Sequence, residues 1–232
     1  MITLILMLYI KKHKQEALKA YRTALKYLYI YTRALLLLLC IILCAKKLHP
    51  QTVNYQFEVK KSNHCIGNMT LTHIREGASS SFIMVSEIKY RFILLFQANA
   101  KETANFQDGI LMHSTLYREQ TGSKTISQQI KKADTDYIVI NDGKIEKRSN
   151  LSSINYNILC MYHTEPVNAR EVFIDKIQQI VPIKKIDEHH YRIELPDGNY
   201  NDYFYANGNC KLIKVHQGFF DIEIVLKSIK PS

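Results

Sequence analysis

The chain has 232 residues, 47% of them hydrophobic, and its 31 Lys+Arg against 21 Asp+Glu give a formal net charge of +10. Residues 1–47 carry nine of the basic residues and one acidic one, which leaves 22 basic and 20 acidic in residues 48–232, so the body is near neutral and nucleic acid is excluded as an expected partner. A body of about 185 residues is long enough for one domain with a real core.

The first predicted element is a leader, residues 1–47, built around the apolar run 34–45 (ALLLLLCIILCA). Lys11, Lys12, Lys14, Lys19, Arg22, Lys26 and Arg33 precede the run and only Glu16 opposes them, so the N-terminus is expected to stay cytoplasmic while the body is exported. Twelve apolar residues fall short of the roughly 20 that cross a bilayer; extension back to Tyr27 gives nineteen positions but encloses Arg33, whose stem would have to snorkel. Three readings stand: a signal cleaved after Ala45, a retained anchor helix, and a lipidated Cys44. Lys11 to Lys26 reads as an amphipathic surface helix with Ala17, Leu18, Tyr21 and Leu25 as its stripe.

The body, residues 48–232, is predicted as a single antiparallel β domain. In Asn54 to Lys60, Tyr55, Phe57 and Val59 alternate with Gln56, Glu58 and Lys60, the period of two of a half-buried strand. Similar runs follow at Asn68 to Ile74, Phe82 to Tyr90, Ile110 to Arg118, Tyr137 to Ile140, Tyr191 to Leu195, Tyr200 to Ala206 and Lys211 to Val215. The last has Phe220, Ile222, Ile224 and Leu226 on one face. Asn141-Asp142-Gly143-Lys144, Pro196-Asp197-Gly198-Asn199 and Asn207-Gly208-Asn209 supply residues that tolerate positive φ and close hairpins. Strands joined by tight turns make a meander. Ser152 to Met161 is the predicted short helix, capped by Ser152 or Ser153. The fold class is therefore mainly β: a curved antiparallel sheet or open half-barrel meander with one short helix, preceded by an N-terminal hydrophobic helix.

Cys65, Cys160 and Cys210 fit either one disulfide with a free thiol or three buried thiols, and without C-x-x-C spacing no zinc site is expected. Tyr55-Gln56-Phe57, Ile66-Gly67, Phe106-Gln107-Asp108-Gly109, Leu159 to Pro166 (LCMYHTEP) with Val172-Phe173, Leu195-Pro196-Asp197-Gly198 and Tyr203 to Gly208 (YFYANG) occur in that order. Over roughly residues 53–227 the chain resembles a family of exported, β-rich bacterial proteins of unknown function. The resemblance implies a shape distantly similar to the half-barrels of lipoprotein-carrier proteins, and it brings no activity and no catalytic residues. Cys160 and Met161 depart from the aromatic-rich form of their segment.

His163 and Glu165, two apart, are the weak acid–base or metal candidates, and hydrogen bonding that fixes a loop is the plainer expectation. His189 and His190 are neighbours, so a strand would point them to opposite faces. Asp197 to Asp202 is rich in oxygen ligands but lacks the spacing of a calcium loop, so a hairpin turn is expected. Asn68-Met69-Thr70 and Asn150-Leu151-Ser152 match the glycosylation acceptor. No G-x-S-x-G, H-E-x-x-H, P-loop or dinucleotide fingerprint is present, so no catalysis, cofactor or metal is expected. The expected activity is non-catalytic binding of a lipid or other apolar ligand, lined by Tyr55, Phe57, Phe220 and Ile222; the alternative is a structural or interaction protein of the envelope. The membrane, through the leader, is the expected partner; no protein partner can be named.

Overall fold

The computed structural model describes the backbone of residues 2–45, 50–91, 95–149, 151–218 and 220–231. The chain divides into two units, Met1–His49 and Pro50–Ser232. The first is a helix, α1, Ile2–Ala45. Every described side chain along it is exposed, including Leu35 to Leu39, each more than half accessible. Arg33, the cation inside the extended apolar stretch, lies over the Tyr29 ring at 4.5 Å. Among the described residues no helix is long and apolar enough to cross a membrane. The side chains of residues 40–45, which complete the apolar run and include Cys40 and Cys44, lie outside the described residues.

The second unit is one 14-stranded antiparallel sheet. Its strands are β1 Gln51–Lys61, β2 His64–Glu76, β3 Ser79–Arg91, β4 Leu95–Gln107, β5 Ile110–Gln120, β6 Ile126–Lys132, β7 Tyr137–Asn141, β8 Lys144–Ser149, β9 Glu171–Ile174, β10 Gln179–Asp187, β11 His190–Glu194, β12 Tyr200–Ala206, β13 Asn209–Gln217 and β14 Phe220–Pro231. A six-residue helix, α2 Ile158–His163, lies between β8 and β9. The order across the sheet is β8-β7-β6-β5-β4-β3-β2-β1-β14-β13-β12-β11-β10-β9. Two runs of hairpins are thus joined by the pairing of the first and last strands, Val53 opposite Pro231 through Lys60 opposite Glu223. This is a meander opened at one place, between β8 and β9, where residues 150–170 make the connection.

The expected alternation holds where it can be seen. Tyr55, Phe57 and Val59 are buried and pair across β2, where Leu71 and Met69 are also buried. Ile222 and Ile224 on β14 complete that inner face. Hairpins close where the chemistry allows positive φ: Asp142 and Gly143 have φ of 49° and 77°, Asn207 and Gly208 of 53° and 73°. Gly67 is required for another reason, since a Cβ there would stand 2.2 Å from the Glu87 carbonyl oxygen on β3.

The sheet curls until its inner face surrounds α2, which packs against β2, β3, β9 and β13. The helix starts later than expected: its cap is Asn157, whose side chain accepts the Leu159 N–H at 3.1 Å, not Ser152 or Ser153. The preceding residues act as a strap. Leu111 N–H donates to Ile154 O at 2.8 Å, the Tyr137 hydroxyl donates to Leu111 O at 2.9 Å, and Ile154 N–H donates back to that hydroxyl at 3.0 Å. Edge strand β9 is covered in part by the same strap, with Phe173 N–H donating to Tyr156 O at 2.9 Å.

The opening is bridged by side chains. Ser114 on β5 donates to the Asp175 carboxylate just beyond β9, and Gln178 Nε2 donates to Asn141 Oδ1 at the end of β7, 3.3 Å away. All three body cysteines are free thiols, Cys160 and Cys210 buried and Cys65 exposed, so neither the disulfide nor the arrangement of three buried thiols holds.

Candidate functional site

Antiparallel order puts the turns after every odd-numbered strand on one rim of the curled sheet and those after β2, β4, β6, β10 and β12 on the other. The plug formed by α2 presents different side chains toward the two rims. Ile158 and Tyr162 face a cavity of about 250 Å³ at the first rim, and Cys160 and His163 line a cleft of about 330 Å³ at the second.

The first cavity is walled by apolar side chains from strands that are far apart in sequence, among them Val59, Met69, Met84, Ile88, Ile222 and Ile224. Ala98 and Ala100 of β4 make the room, because their small side chains sit where a larger residue would fill it. A few polar groups converge on this apolar space: Glu102, Arg118, Asp175, Asn201 and, at the mouth, Gln120, Lys176 and Gln217. Glu102 is buried, and burial lifts its carboxyl above the ordinary range against the opposing pull of Arg118. The Arg118 guanidinium reaches Glu102 Oε1 through one N–H at 3.4 Å, a long contact far from the bidentate fork that arginine can form. The Asp175 carboxyl is pushed up to about 7, mainly by burial; hydrogen bonds from Ser114 and from Asn157 Nδ2, the latter at 3.3 Å, pull it down, while nearby Glu102 adds to the rise. Tyr203 and Asn201 are neighbours on one face of β12, yet neither the hydroxyl nor Oδ1 meets hydrogen-bond geometry with any described group.

At the second rim His163 accepts or donates at Nδ1 to the Tyr55 hydroxyl, 2.8 Å away, and its ring lies 4.2 Å from that of His73. His73 Nε2 in turn meets Ser80 Oγ at 2.8 Å. Burial, and then the neighbouring His73, push the His163 imidazole down to about 4; burial and then Arg75 lower His73. Both rings are therefore neutral near pH 7. Ser80 and His73 are within reach of a nucleophile–base pair, but among the described residues no carboxylate orients His73, and its charged neighbour Arg75 opposes the imidazolium that such chemistry forms. The Cys160 thiol in the same cleft is pushed up to about 12 by burial, which removes it as a nucleophile at neutral pH.

The two residues singled out as an acid–base pair are drawn to separate partners. His163 ends α2 and faces Tyr55, whereas Glu165 accepts from the Tyr191 hydroxyl at 2.9 Å and meets His189 Nδ1 at 3.0 Å. His189 and His190 also diverge, His190 meeting Asp202 Oδ1 at 3.1 Å. The oxygen-rich turn is used internally: Asp197 holds Asn199, and Asp202 takes a bidentate grip from Arg192, both contacts 2.8 Å. Burial would raise the Asp202 carboxyl, but Arg192 and His190 outweigh it and hold it low. Among the described residues no three His, Cys, Asp or Glu are placed to hold a metal ion.

Of the residues expected to line a ligand site, Ile222 borders the first cavity. Tyr55 and Phe57 face α2 instead, Phe57 meeting Tyr162 edge to face at 6.2 Å, and the side chain of Phe220 lies outside the described residues. Glu102, Arg118 and Asp175 escape sequence reasoning because isolated charges in polar strands look like solvent-facing positions; an acid among alanines, as in Ala98 to Ala104, is the only local sign.

The family described as "Domain of unknown function (DUF6134)" matches residues 57–227. The chain belongs to this family. α2 and the residues that line the cavity and the cleft fall within that span, and Tyr55, the partner of His163, lies just before it. Among solved structures the chain is similar to the "Crystal Structure of Beta-barrel-like Protein of Domain of Unknown Function DUF1849 from Brucella abortus", with a TM-score of 0.47 and 12% identity over 80% of this chain and 98% of that one. No curated protein matches the chain in sequence.

Proposed function

We propose that this DUF6134 chain is an exported or membrane-anchored envelope protein whose β body is a non-catalytic module binding an apolar ligand. The observation that carries the reading is the first-rim cavity: an apolar interior with a few convergent polar groups, its volume just under the range of ~300–1,000 Å³ usual for ligand sites. The leader supports the location. A helix that exposes Leu35 to Leu39 and the adjoining Tyr and Ile side chains needs an apolar surrounding, and its basic half suits the cytoplasmic side of a membrane. The non-catalytic reading is supported by the second rim, where His163 and Glu165 each serve a structural hydrogen bond.

Native mass spectrometry of the full chain, released from a neutral sugar-headed detergent, tests the binding. Dodecanol should be retained by the wild type and lost from Ala100→Leu, which fills the cavity. No retained chain, or equal retention by the filled variant, would refute it. Intact masses from fractionated host cells test the location: a mass beginning at Lys46 in the soluble envelope fraction, or a full-length mass in the membrane, fits the proposal, and a full-length mass in the cytosol does not. A second reading, an envelope scaffold, draws on edge strand β8, whose Ile145 is 71% exposed. A stoichiometric partner recovered from detergent extracts and lost with Ile145→Lys would favour it.

A further inference from the structure

Resting on the cavity reading, we propose that the ligand is a single-chain amphiphile with an anionic head, its chain in the apolar interior and its head at Arg118 and Lys176. The cavity has a polarity of its own. Its apolar wall is continuous across β1, β2, β3 and β14, while its charged groups come from β4 and β5 on one side of the opening and from the residues just beyond β9 on the other. Four charged side chains stand there, two acids and two bases, and they are not equivalent.

The acids are committed inward. Asp175 is held on both oxygens by Ser114 and Asn157, and Glu102 is buried. The bases are open. Arg118 is half-buried and its one contact among the described residues is the long one to Glu102, so most of its N–H donors have no acceptor there, and Lys176 is exposed at the mouth with no ion pair among the described residues. Burial raises both carboxyls, that of Asp175 to about 7, and so weakens them as counter-charges to the bases. The free valence at the mouth is therefore cationic. A carboxylate there would accept from the Arg118 fork and the Lys176 ammonium, both short charge-assisted bonds in a partly dry site. A cationic head would be repelled, and a neutral one would leave the donors unused.

The test compares three probes with the same chain, dodecanoate, dodecanol and dodecyltrimethylammonium, by titration into the full chain at low and high salt. Dodecanoate should bind about tenfold or more tightly than dodecanol, by an amount that shrinks with salt, with the ammonium weakest. Arg118→Gln with Lys176→Gln should bring dodecanoate to the affinity of dodecanol. Because loss of Arg118 strips Glu102 of its partner and could unfold the site, Lys176→Glu, at an exposed position, gives a second reading: dodecanoate should weaken and the ammonium strengthen. Equal affinity for the three heads, or a carboxylate preference that survives in these variants, would overturn the head assignment while dodecanol binding kept the cavity reading intact. Failure of dodecanol and dodecanoate alike would overturn both.

Discussion

Two titratable side chains, half-buried His163 and buried Asp175, respond to acid in opposite directions. His163 has its imidazole pushed down to about 4, so between the ordinary 6.5 and that value the unfolded chain takes up a proton that the folded chain refuses. Stability is lost as pH falls through that window, by up to about 3 kcal/mol. Asp175, pushed up to about 7 from the ordinary 3.8, holds a proton in the fold that the unfolded chain has released, so stability is gained as pH falls from 7 towards 4. The two contributions offset each other in the wild type. With His163→Gln, the urea midpoint should rise relative to wild type on going from pH 7 to 4.5; with Asp175→Asn it should fall. Equilibrium unfolding at several pH values reads the difference, and profiles parallel to wild type in both variants would contradict it. Neither residue advertises this in the sequence. His163 was visible as a candidate next to Glu165, but its partner Tyr55 is 108 positions away, and the partner of Asp175, Ser114, is 61 away.

At the scale of elements, α2 and its strap are the part the local pattern describes least well. Ser152 and Ser153 are good caps, yet the chain stays extended to Asn157, because the backbone of Ile154 is engaged by Leu111 and Tyr137. A tertiary bond outweighed a local preference. Tyr137 of β7 ties β5 and the strap together through one buried oxygen. Its replacement by Phe leaves the Ile154 N–H without its partner and should cost about 1–3 kcal/mol, seen as a lower urea midpoint with an unchanged far-ultraviolet spectrum. A midpoint within error of wild type would show that the strap is held elsewhere. Strand β4 was missed for a related reason. Its inward positions are Ala98, Ala100, Glu102, Ala104 and Phe106, small or acidic where an alternating apolar pattern is sought, because α2 and the cavity occupy the space that larger side chains would fill. Strand β10 carries Pro182 opposite Glu171 of β9, tolerated because the pairing of β10 with β11 begins only at Ile183, whose N–H donates on the β9 side, to Arg170 O.

For the molecule as a whole, strands differ in what supports them. β1, β2, β13 and β14 are at the centre of the order, where β1, β2 and β13 meet the plug, whereas β7 and β8 lie at one end, and among the described residues no strand pairs with the outer edge of β8. Native-state hydrogen exchange should therefore be slowest in β1, β2 and β14 and fastest in β8, with Asn141→Ala accelerating β7 by loosening its tie to Gln178. Uniform protection across the sheet would mean that the side-chain bridges close it as firmly as a backbone ladder.

The sequence by itself determined that the body is a β meander, which face of β1 and β14 is buried, where several hairpins turn, and that charge is concentrated before an apolar helix. Those properties follow from periods of two, from turn residues that accept positive φ, and from composition, all of which act over a few residues. Only the tertiary structure decided that the first and last strands pair, that the sheet curls far enough for β5 to meet the residues after β9, and that α2 divides the interior into a cavity and a cleft. It also decided that Glu102, Arg118 and Asp175 share one of them. Pairing at that separation depends on shape and burial summed over the whole sheet, and no local pattern encodes the sum.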